Sequence, residues 1–430
     1  MNKSSGSNRG LQGGSQLRRG GPKSGQGSNS TLVGDFNERV VLTTLRRRGP
    51  SSKAELARLV GLTKNAAGEI VRKLESSGLV KAVGKRTAGR GQPATILDLD
   101  PQGAYAIGVR IDRDLIECLL VDLGGRILDR DILEDLPEPL EAVATIAATV
   151  AHFRRRLGSS GRHRLAGIGV AIPSNLGSWL TELGLPAKTF RAWDQFDLKT
   201  ALAAATDAVV VLENDGNAAA VGEMNHGCGR GMEDFLYVFL GPAVGGGVVL
   251  DGDYIRGRRG NAGDLGLMPV RPSHLPSAPA SGRAYDPLLS RASVKTLMRH
   301  YAANGLPATS RSELEQVIGS HPSFFDEWKN DAVDALVGPV LASTHLLDIS
   351  TVVLDGDLAP ALLDRVAADL SAALAAATAE SRVPPDVMRG TLGRDAAAIG
   401  AASLPLHMSF SPMRDVLTRR PNGFPLEAHP

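Results

Sequence analysis

The sequence is poor in cysteine, has no long apolar run, and lacks an apolar segment behind its basic start. Cys118 and Cys228 are its 2 cysteines, and neither has a Cys or His partner at a typical metal-ligand spacing, which argues against a disulfide framework and against a zinc site. No stretch reaches the roughly 18 apolar residues that span a membrane. A secretory signal would need an apolar core that the N-terminus lacks. We therefore expect a cytoplasmic protein without a membrane partner.

Charge is distributed unevenly along the chain, although the formal net charge is only +2. Residues 1–100 hold 18 Lys and Arg against 7 Asp and Glu, whereas the remaining residues hold 30 against 39. The first hundred residues are therefore strongly basic and the rest is acidic. Such a division is expected of a protein that binds nucleic acid through one end.

The length of 430 residues exceeds one ordinary hydrophobic core, so we predict several segments. Residues 1–32 are rich in Gly and Ser, cannot bury enough apolar surface to fold, and are predicted to be a disordered tail, either inert or a nonspecific DNA arm. Residues 33–100 are predicted to bind DNA, and residues 101–430 to form the body. A first helix is predicted from Asp35, its N-cap, to the basic triplet 46–48. That triplet either contacts phosphates or only complements the helix dipole.

Two capped helices are predicted in residues 51–78. Ser52 and Glu55 form a capping box at the start of the first helix, and Gly61 ends it. Thr63 caps the second helix, which ends before Gly78. Helix, tight turn and helix make up a helix-turn-helix motif. The two helices alone would also fit any small helical subdomain.

A β-hairpin wing is predicted after these helices. Strands at residues 79–83 and 94–99 flank a basic, glycine-rich loop, in which Arg90 lies between two glycines. Such a segment is thin enough to enter a minor groove, where Arg is attracted by the negative potential.

The winged helix-turn-helix predicts the residues that contact DNA. Lys64 and Asn65 lead the second helix into the major groove, while Arg90 enters the minor groove. The other basic residues are expected at phosphates. The complete predicted set is Ser52, Thr63, Lys64, Asn65, Arg72, Lys73, Lys85, Arg86, Arg90 and Gln92.

The body has the pattern of an α/β domain. Two strands at about 106–111 and 115–122, a third strand after the turn at 123–125, a helix at 140–157 and a strand at 165–171 follow one another. A further strand, 208–212, ends just before Asn214 and Asp215. Ligand sites of open α/β sheets lie at such strand ends. A strand pair is also predicted within residues 235–257, with a bend at the three glycines 245–247.

Three motifs in order carry a resemblance to a known family. The motifs are ENDGNAAAVGE (213–223), LGPAVGGGVVLDG (240–252) and GNAGDLGLMPV (260–270). The span from about residue 35 to 412 resembles the ROK family of repressors and sugar kinases, and the winged helix resembles that of its repressor branch. The resemblance implies an α/β fold in which a two-lobed, actin-like (ribonuclease H-like) ATPase body follows the winged helix-turn-helix. It also implies a dimer or tetramer.

The phosphate-binding parts of the family pattern are altered. Where the family's kinases have DxGGT, the aligned residues are Arg110, Asp112, Arg113 and Asp114. Bulky and acidic side chains thus replace the glycines that let backbone N–H groups approach phosphate. In the second phosphate loop Pro242 has no N–H to donate. We predict that the protein has no kinase activity, no catalytic residue and no nucleotide cofactor.

The zinc site of the family's kinases is also absent from the pattern. Leu267 stands at the position of the zinc-binding His, and no cysteine follows in the next loop. His274 alone is a poor ligand set, because structural zinc takes four ligands. We predict no metal.

The sugar-binding parts are partly retained. The resemblance implies that Asn214 and Asp215 bind sugar hydroxyls. Asp264 stands where the family has a sugar-binding Glu, and Gly263 serves a tight turn. Loop 186–193 lacks the Asn expected before the family's Trp. Alternatively, Asn214 and Asp215 only cap the helix that follows.

These observations predict a DNA-binding transcriptional regulator of carbohydrate metabolism, most simply a repressor. An oligomer would present two winged helices to double-stranded operator DNA, and a sugar-type effector in the body would change operator binding. Two alternatives remain open. One is a sugar kinase with a DNA-binding appendage, and the other is a DNA-binding oligomer without a small-molecule effector.

Overall fold

The computed structural model describes residues 30–87, 93–174, 176–177, 190–193, 195–380 and 382–412. The amino-terminal elements are α1 (Ser30–Arg48), β1 (Ser51–Ser52), α2 (Lys53–Leu59), α3 (Lys64–Ser76), β2 (Val80–Arg86) and β3 (Ala94–Leu99). The predicted helix-turn-helix and hairpin are confirmed. Strand β1, which was not predicted, pairs with β3 and makes the wing a three-stranded sheet in the order β1-β3-β2.

Local chemistry sets the boundaries of α2 and α3. The Ser52 hydroxyl accepts a hydrogen bond from the Glu55 amide, and the Glu55 carboxylate accepts one from the Ser52 amide at 2.7 Å. The Thr63 hydroxyl accepts a hydrogen bond from the Ala66 amide at 3.2 Å. Gly61 and Gly78 follow the two helices with φ values of +68° and +71°, a conformation that side chains disfavour.

Helix α1 is longer than predicted. It begins at Ser30, so Asp35 lies inside the helix and is not its N-cap. Asp35 instead lies 3.9 Å from the ammonium group of Lys73 on α3. The apolar face of α1, including Leu42 and Leu45, is fully buried in the core that also holds Leu74 of α3. Helix α1 therefore packs as one unit with α3, the helix predicted to enter the major groove and here called the recognition helix.

The first lobe of the body is a five-stranded sheet with helices on both faces. Its elements are β4 (Tyr105–Ile111), β5 (Ile116–Asp122), β6 (Ile127–Leu133), α4 (Pro139–Arg162), β7 (Leu165–Ile172), α5 (Leu198–Thr206), β8 (Val210–Asn214) and α6 (Asp215–His226). The strand order is β6-β5-β4-β7-β8, in which β4, β7 and β8 are parallel. The buried side chains of Ile146 and Phe153 on α4 share a core with the sheet. The carboxyl ends of the parallel strands thus meet at one edge.

The second lobe repeats this plan. Its elements are β9 (Phe235–Leu240), β10 (Val244–Leu250), β11 (Asp253–Tyr254), β12 (Pro269–Val270), β13 (Asp286–Pro287), α7 (Leu289–Ala292), α8 (Val294–Ala303), α9 (Arg311–Ser320), α10 (Pro322–Leu347), β14 (Thr351–Gly356), α11 (Pro360–Ala377) and β15 (Asp386–Arg389). The strand order is β11-β10-β9-β14-β15, with β9, β14 and β15 parallel. Trp328 and Tyr301 are fully buried among α8, α10 and α11. The chain then returns to the first lobe, where α12 (Ala396–Phe410) packs against β4 and β7.

Helices α6 and α12 lie side by side at the centre of the body. A Cβ on Gly400 would come within 1.7 Å of the Ala218 carbonyl oxygen, and one on Gly222 within 2.6 Å of the Ala396 carbonyl oxygen. The two backbones are therefore in direct contact, and glycine is required at both positions. This arrangement of two lobes around a helical centre confirms the expected architecture.

The expected bend at the glycines 245–247 is wrong. Strand β10 pairs continuously with β9 from Val244 to Val249, and the chain reverses earlier, where the Gly241 amide donates to the Ala243 carbonyl at 3.0 Å. The glycines have a different purpose. A Cβ on Gly246 would lie 2.5 Å from the Gly263 carbonyl oxygen. Glycine is therefore needed in the strand because the backbone at Gly263 passes close to it.

Among the described residues, none of the helices has both the length and the apolar character of a membrane span. The winged helix rests on the first lobe through a common core. Leu79 and Leu97 of the wing share this core with Leu119, Ile399 and Leu406 of the body.

Candidate effector cleft and DNA-reading surface

A cavity of about 270 Å³ lies between the lobes. Its walls come from the ends of β4, β7 and β8, the first turn of α6, and the β9–β10 turn of the second lobe. Three of the four sequence-predicted effector residues line it, namely Asn214, Asp215 and Asp264. Gly263 lies behind this wall with φ +82°, and a Cβ there would come within 2.6 Å of Gly247. Its expected role in a tight turn matches this geometry.

Asn214 has the capping role that the sequence offered as one of two alternatives, and its amide group also lies at the cavity wall. Its Oδ1 accepts hydrogen bonds from the amides of Gly216 at 2.9 Å and Asn217 at 3.2 Å, which makes it the N-cap of α6. Because the carbonyl oxygen is used in this way, the amide nitrogen must face the other way. It donates to the Ser174 hydroxyl at 3.2 Å, at the cavity wall.

Two carboxylates supply hydrogen-bond acceptors to the cavity. Asp215 accepts one hydrogen bond from the Gly216 amide at 2.9 Å. Burial, and then the nearby charge of Asp112, raise the pKa of Asp215, while Arg110 acts in the opposite direction. Burial raises the pKa of Asp264, which makes no capping hydrogen bond to the short 3₁₀ turn that follows it.

Sequence reasoning missed two polar residues of this wall. The Ser174 hydroxyl donates to the side-chain oxygen of Asn261, so Asn214, Ser174 and Asn261 form one hydrogen-bonded chain along the cavity. Ser174 follows the carboxyl end of β7, and that position was the available signal.

Glu213, also missed, is buried and holds this edge together. Its carboxylate accepts hydrogen bonds from Arg256 at 2.7 Å and from the Tyr254 hydroxyl at 3.1 Å. These bonds attach the end of β8 in the first lobe to residues at the edge of the second sheet. They fix the frame from which Asn214 and Asp215 project.

The side of the cleft where a kinase would hold phosphate is filled by paired charges. Arg110 donates to the Asp112 carboxylate at 2.8 Å and to the Arg394 carbonyl at 3.4 Å. Burial works against the guanidinium charge, but Asp112, Asp357 and Asp215 raise the pKa of Arg110 above its usual value. Burial likewise works against the Asp112 charge, but Arg110 and further hydrogen bonds keep its pKa low.

The residues present do not fit an ATP phosphate chain. The Gly241 amide already donates to the Ala243 carbonyl, and Pro242, which lines the cavity, has no N–H. The negative charge expected from Asp112 is largely balanced by Arg110. Asp114 is not paired in this way, and burial followed by Asp112 raises its pKa.

The loop that would hold zinc in the family's kinases is anchored differently here. Asp331 accepts hydrogen bonds from the Ser273 hydroxyl at 2.9 Å and the His274 amide at 3.4 Å, and pairs with the buried Arg291 at 2.6 Å. An arginine is not a zinc ligand, so this residue set does not fit the metal. Within the described residues, no group of three or more His, Cys, Asp or Glu could hold a metal ion. The absence of zinc stays a prediction.

The leading edge of α3 is available to DNA. Thr63, Lys64 and Asn65 are exposed, as are Lys85 and Arg86 on β2. The Thr63 hydroxyl is engaged in capping. Arg90 and Gln92 lie outside the described residues.

Several of the residues expected to contact DNA form hydrogen bonds or ion pairs within the protein. Ser52 is 6% exposed and its hydroxyl caps α2, so this side chain offers little surface to DNA, and its contact stays a prediction. Lys73 pairs with Glu38 of α1 at 2.8 Å. Arg72 pairs with Glu69 on its own helix, and Arg86 pairs with Glu55 at 3.1 Å.

Arg46 and Arg47 of the basic triplet contact the body. Arg46 is 6% exposed and donates to the Asn225 side chain at 3.4 Å. Arg47 donates to the Met232 carbonyl at 2.8 Å. The contacts of these two residues with the body differ from both roles that the sequence suggested, phosphate binding and interaction with the helix dipole.

Comparison with known proteins identifies the family. The family model described as "ROK family" matches residues 106–407, and a model described as "Winged helix-turn-helix DNA-binding" matches residues 37–81. The chain belongs to the ROK family. Its winged helix groups it with the DNA-binding transcriptional regulators of that family.

Similar proteins include both regulators and a kinase. An uncharacterized protein, y4fQ, of Sinorhizobium fredii is 27% identical over 377 residues, covering 87% of this chain and 92% of y4fQ. The xylose repressor of Bacillus subtilis is 26% identical over 246 residues, 56% of this chain and 62% of the repressor. A glucokinase of Halalkalibacterium halodurans is 32% identical over 174 residues, 39% of this chain and 51% of the kinase.

Among solved structures, a ROK family transcriptional regulator, described as a homolog of the Escherichia coli MLC protein, matches with a TM-score of 0.65. It is 19% identical, and the match covers 90% of this chain and all of that one. This likeness establishes the fold, winged helix included.

Proposed function

We propose that a carbohydrate bound in the cleft sets the affinity of this regulator for a DNA operator, and that the protein acts as a repressor. The observation that carries the proposal is the cavity beside Asn214, Asp215 and Asp264 in a chain that also bears a winged helix. The names of the xylose repressor and of the N-acetylglucosamine repressor of E. coli support a carbohydrate as the effector.

The chemistry of the wall suits a polyhydroxyl ligand. A sugar hydroxyl both donates and accepts hydrogen bonds, so it can give its proton to a carboxylate and accept one from an amide. Asp215 and Asp264 are the acceptors, and the amide of Asn214 is a donor. A hydrogen bond to a charged partner contributes about 1.5–3 kcal/mol, so a few such bonds are enough for specific binding.

The proposal is tested in two steps. An operator is first selected from random duplexes with the full chain. Its affinity is then measured with and without D-xylose, D-glucose and N-acetyl-D-glucosamine, and each sugar is titrated calorimetrically. One sugar should bind and weaken operator binding by at least about fivefold, within the usual range of allosteric coupling. Operator binding without a response to any sugar would favour a DNA-binding oligomer that has no effector.

At the operator, Lys64 and Asn65 are proposed to reach base edges, because they are exposed at the amino-terminal end of α3. Lys85 is proposed to contact phosphate from the wing. Arg90 and Gln92 keep their expected roles as proposals. Two copies of the chain in an oligomer would present two such surfaces to a palindromic site in the cytoplasm.

Phosphoryl transfer is the second candidate, since a glucokinase is among the relatives. The family resemblance also implies that Asp215 stands where the kinases have their general base. We propose that this activity is lost. The Arg110–Asp112 pair and Pro242 leave few donors for a triphosphate. A coupled assay for ADP release with the same three sugars should give no turnover above a sample without sugar, and kinase-like turnover would refute the loss.

A further inference from the structure

The regulator needs a physical connection between the cleft and the winged helix, and helix α6 provides one. Its first turn, from Asp215 to Ala219, lines the cavity. Its last turn includes Asn225, whose side-chain oxygen accepts a hydrogen bond from Arg46 of α1. Twelve helical residues span about 18 Å. One straight element therefore contacts the effector cavity at one end and the DNA-binding domain at the other.

Helix α12 makes a second connection of the same kind. Ala397 in its first turn lines the cavity, and the Arg394 carbonyl just before it accepts from Arg110. At its other end, Arg39 of α1 donates to the carbonyl oxygens of Met408 at 2.9 Å and Ser411 at 3.3 Å. Carbonyl groups in the last turn of a helix lack partners within that helix, so Arg39 satisfies them from outside.

Helices α6 and α12 must move together. Gly222 and Gly400 bring their backbones into contact, and nearly all of α6 is buried. Closely packed backbones transmit a displacement because they cannot absorb it by compression. On the receiving side, α1 shares its core with α3, and Lys73 pairs with Glu38. A shift at α1 therefore reorients the recognition helix.

The interface between α1 and the body is buried, and some of its hydrogen-bond donors have no acceptor among the described residues. Arg39 and Arg46 are 5% and 6% exposed. Over the part of the chain that the structure describes, Nε of Arg39, Nε of Arg46 and Nδ2 of Asn225 have no hydrogen-bond partner. Burial, and then Arg230, lower the pKa of Arg46 to about 10. Buried donors without acceptors are costly, so this docked arrangement is less stable than a fully bonded interface and can be shifted by a modest free energy.

We propose that Arg39 and Arg46 are positioning residues that transmit the state of the cleft, through the far ends of α12 and α6, to the winged helix. This inference rests on the proposed function, since it names the route by which an effector alters operator binding. Both arginines act through the helix that carries the DNA-binding domain, and neither touches the cleft.

The test uses the double variant Arg39→Met, Arg46→Met in the full chain. Methionine keeps much of the apolar length of the buried arginine side chain and removes the hydrogen bonds of its guanidinium group. Arg155→Met, an exposed arginine on α4, is the matched control. The sugar used is the one of D-xylose, D-glucose and N-acetyl-D-glucosamine that binds the wild-type protein. Operator affinity is measured with and without this sugar, and the affinity for the sugar is measured without DNA.

The expected result separates transmission from binding. Sugar affinity and sugar-free operator affinity should each stay within about threefold of wild type, whereas the weakening of operator binding by sugar should fall below about twofold. The control should respond like wild type. An unreduced response in the double variant would overturn the proposal. If the double variant does not fold, Arg46→Met alone, which loses one long hydrogen bond, is measured in the same way.

A second measurement needs no effector. Arg110→Lys keeps the charge in the cleft but cannot hold both Asp112 and the Arg394 carbonyl, so it disturbs the start of α12. In a double-mutant cycle, this change should alter operator affinity at least threefold in wild type and much less in the Arg39→Met, Arg46→Met background. An equal effect in both backgrounds, or no effect in either, would contradict transmission even if no sugar binds.

Discussion

The two halves of the cleft use charged residues in different ways. On the phosphate side, Arg110 and Asp112 are bonded to each other. On the effector side, Asp215 and Asp264 face the cavity, and their described hydrogen bonds leave carboxylate oxygens free to accept more. Charges paired within the protein stabilise the fold, whereas charges that face a cavity are available to a ligand. We therefore expect the phosphate side to be structural and the side that holds Asp215 and Asp264 to bind the ligand.

The largest expected effect is on stability, when the pair on the phosphate side is broken. Arg110→Ala should lower the free energy of unfolding by about 3 kcal/mol, because it removes the cation nearest to the Asp112 carboxylate and leaves only the more distant Arg113. Urea denaturation followed by circular dichroism measures this change. The double variant Arg110→Ala, Asp112→Ala should recover part of the loss.

Arg155→Ala, at an exposed position on α4, serves as the control and should change stability by less than about 0.5 kcal/mol. If Arg110→Ala changed the free energy of unfolding as little as this control, the ion pair between Arg110 and Asp112 would not stabilise the phosphate side of the cleft.

The effector side should respond in affinity instead of stability. Asp215→Ala should weaken sugar binding by about 30-fold, which corresponds to the loss of about 2 kcal/mol from hydrogen bonds to a charged acceptor. Asp357→Ala is the matched control, because the charge of this carboxylate acts on the pKa of Arg110 and the residue is not part of the described cavity wall. That variant should change sugar affinity by less than about threefold. Equal losses in the two variants would remove the distinction between the halves.

Sugar affinity should also depend on pH with a definite sign. Burial, and then Asp112, raise the pKa of Asp215, so this carboxyl takes up a proton at a higher pH than an ordinary aspartate. Protonation removes the charged acceptor. Titrations from about pH 8 to about pH 5 should therefore show affinity falling as the pH is lowered, and Asp215→Ala should flatten this dependence.

Local chemistry explains why much of the fold could be predicted. The caps at Ser52 and Thr63 and the positive-φ glycines Gly61 and Gly78 act over a few residues, so their meaning is visible in the sequence. The motif at 213–223 was likewise placed correctly at the end of a strand. Three of the proposed effector residues consequently meet at one cavity.

What the sequence could not reveal depends on contacts between distant segments. The burial of Arg46 requires α6, whose Asn225 lies 179 positions away along the chain. The glycines 245–247 predicted a bend by their local preference, yet Gly246 is needed because the backbone at Gly263 approaches it. Pairing between Lys73 and Glu38 also depends on how α1 packs on α3. In each case a residue type has two common uses, and only the tertiary partner decides between them.

The same contrast between paired and available charge applies on the DNA-reading surface, where the expected effect is smallest. Lys64 is exposed at the tip of α3, whereas Lys73 on the same helix pairs with Glu38 at 2.8 Å. Each phosphate neutralised contributes about 0.9 to the log–log dependence of DNA affinity on salt. If Lys64 neutralises a phosphate beside the bases that it reads, Lys64→Ala should reduce this slope by about 0.9, and Lys73→Ala should leave it nearly unchanged. Fluorescence anisotropy over a salt series measures both slopes. A larger change of slope for Lys73→Ala than for Lys64→Ala would mean that Lys73 leaves Glu38 to bind the operator. Internal pairing would then not distinguish structural charges from DNA-binding charges in this domain.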